Sequence, residues 1–338
     1  MTDRILVIRG GALGDFVLGL PALQALRAAF PHSHLELVAP ATVLPLASRL
    51  ADDLTPLERA EVASLFGDAG QLPEEIAGRY RDLDLAVLWL ADRDGSVRAS
   101  FQALNARLVL QAPAIPDEPG RHAADHLLQT LLPLGIVPSG PAIPMVQPGG
   151  LAREAAETLF RDMGLAASRF SPPASAAPVV AVHPGSGGVR KNWRPERFAA
   201  VVDRLERLGA RPVVIQGPAD EEPVRRVLAA VQGSRPTVVE GLGVEELAAF
   251  LSLCSAYLGN DSGVTHLAAA LGIPTIALFG PTDPTVWGPR GPRTIALDGG
   301  RLALHRTGFG SPHSDNPMDA IDVEPVLEAL KAIMHENR

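Results

Sequence analysis

The sequence of 338 residues has one cysteine, Cys254, which excludes both a disulfide framework and a cysteine metal site within one chain. Cys254 lies in the apolar run from Leu247 to Leu258 and is expected to be a buried core thiol. An excess of basic residues is also missing: 30 Lys+Arg against 38 Asp+Glu leave a net charge of −8. There is thus no basic footprint, and nucleic acid is not the expected partner. No segment reaches the ~20 consecutive apolar residues that a membrane-spanning helix needs. The start, Met-Thr-Asp-Arg, runs into a strand without the apolar region of a signal peptide, so the expected compartment is the cytoplasm. No G-K-[ST] follows the first glycine loop, which excludes a P-loop. What is present is 46% apolar and 20% charged residues, the composition of a globular chain long enough for two domains with a core each.

Strands and helices alternate along the chain. Arg4 to Arg9 reads as a strand, Gly10 to Gly14 as a glycine loop, and about Asp15 to Ala29 as a helix that Pro21 should kink. His34 to Ala39, Leu83 to Leu90 and Asn105 to Leu110 read as further strands with helical stretches between them. This order predicts a parallel sheet with helices on both faces. Ser171 to Pro178, rich in proline and small residues, reads as an interdomain linker. The pattern then restarts, with strands at Val179 to Val182, Arg211 to Gln216, Thr237 to Glu240, Ala256 to Gly259 and Thr275 to Phe279. The helices between them are expected at Pro195 to Leu208, Glu221 to Val231, Glu245 to Leu253, and Val264 to Leu271, the last stopped by Gly272 and Pro274. The expectation is an α/β chain of two facing Rossmann-like domains, residues 1–170 and 179–322, with an interdomain cleft. A C-terminal helix over 323–338 is a candidate for crossing back to the first domain.

The most informative stretch is 259–284, GNDSGVTHLAAALGIPTIALFGPTDP. It puts Asp261, Ser262 and Gly263 directly before a short apolar helix, whose free N–H groups and dipole favour an anion such as phosphate. The plainer alternative is that Asp261 or Ser262 only caps the helix. A second glycine loop runs from His183 to Pro195. Its Ser186, Gly187 and neighbouring glycines offer donors to phosphate oxygens, and Lys191 adds a flexible point charge, unless the loop is simply a solvated basic turn. Asp15 at a helix start is either a cap or a carboxylate presented as a general base. Glu221 and Glu222 stand in the first turn of a helix, where acids favour the dipole in any case. His266 lies one turn into the helix after Asp261 and is packed or catalytic. Asp92-Arg93-Asp94 has the D-x-D spacing of metal-dependent sugar-nucleotide enzymes, as any short acidic loop can. His305, His313 and Asp315 lack metal-ligand spacing and receive no role. A dinucleotide fingerprint would need glycine at position 9, where Arg9 stands, although Glu36 could imitate the ribose-binding acid of nicotinamide enzymes.

In combination, the segments RILVIRGGALGDFVLGLPALQAL, VAVHPGSGGVRKNWRPERFAAV and GNDSGVTHLAAALGIPTIALFGPTDP resemble family 9 of the glycosyltransferases, the ADP-heptose:lipopolysaccharide heptosyltransferases. The resemblance covers nearly the whole chain. It implies the GT-B fold, with the acceptor on the N-terminal domain and the nucleotide-sugar donor, expected to be ADP-linked, on the C-terminal one. It also implies inverting transfer without a metal or any resident cofactor. By position, Asp15 matches the family's catalytic base, with Gly14 beside it on the acceptor side. Lys191 and Ser186, with Gly187 in the same loop, match diphosphate contacts, Glu221 a ribose contact, and Asp261, Ser262, Gly263 and His266 donor-sugar and diphosphate contacts. The resemblance implies transfer of heptose from ADP-heptose onto a lipopolysaccharide core or related glycan or glycolipid acceptor, although the stretch within residues 50–75 is acidic where a phosphorylated acceptor would call for lysine and arginine. A monomer with peripheral contact to the inner membrane face goes with that acceptor. The rival readings are a nicotinamide-dependent oxidoreductase and a GT-B protein that binds a nucleotide sugar without transferring it.

Overall fold

Parallel strands covered by helices on both faces are buried throughout, so they appear in sequence as near-continuous apolar runs. The inner strands of two sheets, five-stranded in the first part of the chain and six-stranded in the second, come from such runs, while the edge strands are only partly buried. The computed structural model describes residues 3–66, 72–113, 115, 116, 118, 120–165, 177–305 and 316–335. The chain divides into two compact units, Met1–Pro144 and Met145–Arg338.

The first unit contains β1 (Arg4–Arg9), α1 (Leu13–Ala29), β2 (His34–Ala39), β3 (Asp53–Pro56), α2 (Ala60–Ala63), α3 (Glu74–Tyr80), β4 (Leu85–Trp89), α4 (Ser96–Ala103), β5 (Val109–Ala112) and α5 (Ala123–Gln129). Its strands lie in the order β3-β2-β1-β4-β5, all parallel. α1 runs as one helix through Pro21, and its residues from Phe16 to Leu23 are all buried. The strand at Asp53–Pro56 was not expected. The acids around it are tied into the edge of the sheet: Asp52 accepts the Leu35 N–H at 2.8 Å and an Arg27 N–H at 2.6 Å, and Glu58 takes the Ala41 N–H at 3.1 Å. Two expected strands start late: Asn105, expected to open one of them, takes a left-handed backbone at φ 59° that no strand continues through, and the other begins at Leu85.

The second unit contains α6 (Gly150–Asp162), β6 (Val179–His183), α7 (Pro195–Arg207), β7 (Arg211–Gln216), α8 (Glu221–Ala230), β8 (Thr237–Glu240), α9 (Val244–Leu253), β9 (Ala256–Asn260), α10 (Gly263–Ala270), β10 (Thr275–Phe279), α11 (Pro284–Trp287), β11 (Thr294–Asp298), α12 (Gly299–His305) and α13 (Val323–His335). Its sheet has the order β8-β7-β6-β9-β10-β11, again all parallel. Numbered within the unit, this is 3-2-1-4-5-6, the doubly wound order of dinucleotide-binding folds.

Two expectations about organisation are corrected. The units part at residue 144 rather than at 170, because α6 packs on α9 within the second unit, with the Phe160 and Phe250 rings 4.6 Å apart. The chain is tied to that unit from Val146, whose N–H donates to the Ala270 carbonyl at 3.0 Å. Of the expected linker 171–178, only Ala177 and Pro178 are among the described residues. The C-terminal helix, described as far as His335, packs on the second unit. Val326, Leu327, Leu330 and Ile333 of α13 belong to the core formed by β6, β9, β10 and α7 of its own unit.

Candidate active site

In an open parallel sheet, the loops leaving two neighbouring strands in opposite directions open a crevice at the carboxyl ends of those strands. The second sheet has this switch point between β6 and β9, and the first between β1 and β4. The notable glycine loops and acids of the sequence fall at these two places.

In the second unit the framework is set by Asn260, the fully buried last residue of β9. Its side-chain amide donates to the carbonyls of Pro184 and Gly185 at 2.8 and 3.3 Å, and its Oδ1 accepts the Trp193 N–H at 3.0 Å. One amide thus holds both ends of the glycine loop after β6. The Trp193 indole, buried against Phe198, donates to the Ile321 carbonyl at 2.9 Å and anchors the loop further. Carried on this frame, the Lys191 ammonium donates to Asp261 Oδ2 at 2.7 Å. Thr282, from the loop after β10, donates to the same oxygen at 2.6 Å. His266 Nε2 stands 4.0 Å from the other oxygen. Loops from three neighbouring strands therefore meet on one carboxylate that is only 7% exposed.

Ser262 is the N-cap of α10, its Oγ accepting the Thr265 N–H at 3.4 Å. Gly263 begins the helix, and the first N–H groups of a helix have no acceptor within it and carry its positive end. The neighbourhood therefore joins a cation, a helix N-terminus and a carboxylate. The first two suit an anion, and the carboxylate suits hydroxyl donors.

Behind Ser262 lies a buried relay. Its Oγ is 3.3 Å from His183 Nδ1, and His183 Nε2 is 2.9 Å from Asp220 Oδ2. Facing a carboxylate, His183 Nε2 carries a proton towards Asp220. Asp220 also accepts the Gly217 N–H at 2.9 Å, which joins the loops after β6, β7 and β9. Gly185 must be glycine here, since a Cβ would coincide with the Asp220 carboxylate. Gly185→Ala should lower stability by about 1–3 kcal/mol through overpacking, measured as a fall in the denaturant midpoint.

Burial pushes the Asp220 carboxyl upward, but the hydrogen bond and charge of His183, with the Gly217 N–H, outweigh it and hold the group below the usual carboxylate range. A carboxyl depressed in the folded state stabilises fully above its unfolded value, about 3.9, and loses that contribution as pH falls through the folded value. Asp220→Asn should therefore be less stable than the parent at pH 6, with the difference shrinking below about pH 4. Urea titrations at the two pH values check this.

In the first unit, Asp15 is the third residue of α1. Its Oδ2 accepts the Ala12 N–H at 3.0 Å, so the capping reading is correct as far as it goes. The side chain lies over Gly11, which has φ +101°, and a Cβ there would stand 2.7 Å from Asp15 Cβ and 2.8 Å from Oδ2. Only glycine gives both the backbone angle and the room. Asp15 remains partly exposed, with Oδ1 making no hydrogen bond among the described residues. The carboxylate is both fixed and open to a proton donor.

The remaining sequence candidates separate clearly. Gly14 shares the first turn of α1 with Asp15. The Ser186 hydroxyl is turned into its own loop, 2.7 Å from the Gly188 carbonyl and 2.6 Å from Asn192 Oδ1, rather than held out towards a ligand. Gly187 and Glu221 are exposed, Glu221 at the first position of α8, and neither is bonded to the Asp261 cluster among the described residues. Asp92 caps α4, accepting the N–H groups of Val97 and Arg98 at 3.2 and 3.0 Å, with Gln111 at 3.1 Å. Its lone pairs are directed at α4, against a D-x-D metal loop. Glu36 is buried mid-strand and taken up by Thr55 at 2.7 Å, Arg79 at 2.7 Å and Tyr80 at 3.0 Å, which leaves nothing for a ribose and removes the support for a nicotinamide enzyme. His313, Asp315 and the His305 side chain lie outside the described residues. Asn260, Thr282, His183, Asp220 and Arg9 were not picked out. Arg9, His183, Asn260 and Thr282 all lie inside the quoted segments, and their position at or just after strand ends is the available signal.

The family described as glycosyltransferase family 9 (heptosyltransferase) matches residues 152–307. Over its whole length the chain is similar to lipopolysaccharide heptosyltransferase 2 of Salmonella typhimurium, with 26% identity covering 98% of this chain and 99% of that protein. Among solved structures it is similar to a family 9 glycosyl transferase from Veillonella parvula, at 24% identity and TM-score 0.81, covering 99% of this chain and 97% of that one. It is also similar to the ADP-heptose lipopolysaccharide heptosyltransferase II of E. coli, at 20% identity and TM-score 0.73, covering 98% and 99%. These structural likenesses give the GT-B fold, in agreement with two doubly wound parallel sheets. With the family match over residues 152–307 and whole-length likeness to a heptosyltransferase, the chain is similar to glycosyltransferase family 9 and is a glycosyltransferase.

Proposed function

We propose that the chain transfers a heptose from ADP-heptose to a lipopolysaccharide core or related glycan by a single displacement that inverts the anomeric centre. The observation that carries the reading is the meeting of Lys191, Thr282 and the α10 N-terminus on Asp261 at the switch point of the second sheet. In this reading Lys191 and the first N–H groups of α10 bind the diphosphate, and Asp261 accepts hydroxyl protons from the sugar. His266 lines the same contact. Ser186, Gly187 and Glu221 contribute to the nucleotide side, Ser186 after its hydroxyl turns away from Asn192. Asp15 takes the proton of the acceptor hydroxyl, which attacks the anomeric carbon as the bond to the diphosphate breaks, and the leaving charge falls to Lys191 and α10.

Lys191 and the helix end would supply the positive charge that a cation supplies elsewhere, so transfer is proposed to be metal-independent. A lipid-linked acceptor would bring a monomeric enzyme to the cytoplasmic face of the membrane. No helix among the described residues is long and apolar enough to cross it. The reading is tested by acceptor-dependent ADP release from ADP-heptose in the presence of a chelator. Release only when a heptose-accepting core oligosaccharide is present supports it, and a donor panel that gives no transfer would sink it.

A further inference from the structure

A guanidinium is costly to bury without a carboxylate against it, yet Arg9 at the end of β1 is only 3% exposed. Among the described residues it forms no ion pair. Its Nη1 donates to the Trp89 carbonyl at the end of β4, at 3.3 Å, and its Nη2 to the backbone carbonyl of Asp15, at 2.6 Å. Its Nε is buried with no acceptor and faces α1 where Gly19 leaves space, a Cβ there being 3.3 Å away. Burial lowers its pKa to about 10, and Asp15 is the charge that opposes this. The side chain is therefore a cation at neutral pH, with Asp15 as its counter-charge. A buried methionine would fill the same volume without that cost.

We propose that Arg9 is a positioning residue for Asp15: it clamps the Asp15 carbonyl to the end of β4 and so fixes the first turn of α1, which presents the carboxylate over Gly11. The inference rests on the reading of Asp15 as the base. A base must sit within hydrogen-bond reach of the proton it removes, and a displacement of about 1 Å can cost ~10²-fold in rate. Lysine at position 9 keeps the charge and reaches one carbonyl. Methionine keeps the volume and reaches neither.

The experiment measures kcat, donor KM, and the stoichiometry of ADP binding by calorimetry for the wild type, R9K, R9M, D15N and R9M/D15N. Stoichiometry reports the folded fraction, so a loss from misfolding is separated from a loss in turnover. The expected order of kcat per binding site is wild type, then R9K, then R9M, with R9M down about 10²-fold and donor KM little changed. R9M should add nothing in the D15N background. Wild-type kcat per site in R9M, or in R9K if R9M does not fold, overturns the inference. So does a loss that merely tracks stoichiometry. Retained transfer by D15N would instead overturn the reading of Asp15 itself, which keeps the two failures apart.

Discussion

Asp15→Asn should lower turnover by ~10²- to 10⁴-fold, the usual contribution of a positioned general base, while changing donor affinity by no more than about twofold. Asparagine is the informative replacement. Its side-chain oxygen can still accept the Ala12 N–H that Asp15 Oδ2 accepts at 3.0 Å, so the start of α1 keeps its cap. Alanine would remove cap and base together, adding about 0.5–2 kcal/mol of lost stability to the loss of chemistry. Asparagine also preserves the packing over Gly11 and the backbone carbonyl that Arg9 holds. What it cannot do is take a proton at neutral pH. Steady-state transfer with calorimetric titration of ADP on the same preparation separates the two quantities. A variant that still transfers would leave Asp15 with its capping role alone.

Lys191→Met should weaken nucleotide-diphosphate binding at least tenfold and cost ~10²- to 10³-fold in turnover, as for loss of one preorganised charge at a leaving group. Only two lysines occur among the 30 basic side chains, Lys191 and Lys331, so a flexible ammonium at this position stands out in a chain that otherwise uses arginine. The Lys191 side chain is one-third exposed whereas Asp261 is 7% exposed, so the pair has one face towards solvent and one towards the core. Removing the ammonium leaves Thr282 as the remaining donor to Asp261 Oδ2 and an unbalanced negative charge beside the anion site. Combining Lys191→Met with Asp261→Asn isolates these effects. The double variant should recover part of the diphosphate affinity, because the repulsion is gone, but not the turnover, because the cation is still missing. Affinity unchanged in the single variant would return Lys191 to bracing its own loop.

The strands around both switch points were legible because buried parallel strands appear as apolar runs ended by glycine or acid; β1, β2, β7, β8 and β10 carry the expected limits. The division of the chain was less legible. Proline-rich sequence lies at Pro133 to Pro148 as well as at Ser171 to Pro178, and composition alone does not say which stretch separates the units. The packing of Phe160 on Phe250 decides it, a contact between residues 90 positions apart that no local pattern contains. The same holds within the site. Lys191 and Asp261 were each recognisable as features of a loop, but not as a hydrogen-bonded pair that also draws in Thr282. Asp220 was overshadowed by Glu221 and Glu222, because acids at a helix start look alike until one is seen bound to a buried histidine. Arg9 read only as a missing glycine. Its burial and its hold on the Asp15 carbonyl depend on the end of β4, some 80 residues away in sequence.

The most direct measurement for this account is the configuration of the transferred anomeric carbon, followed by NMR from the ADP-heptose donor to the first-formed glycoside. A single displacement, with an acceptor hydroxyl activated at Asp15 and the diphosphate leaving towards Lys191, predicts a product of opposite anomeric configuration from the start of the reaction. A first-formed product with the donor's configuration would contradict it.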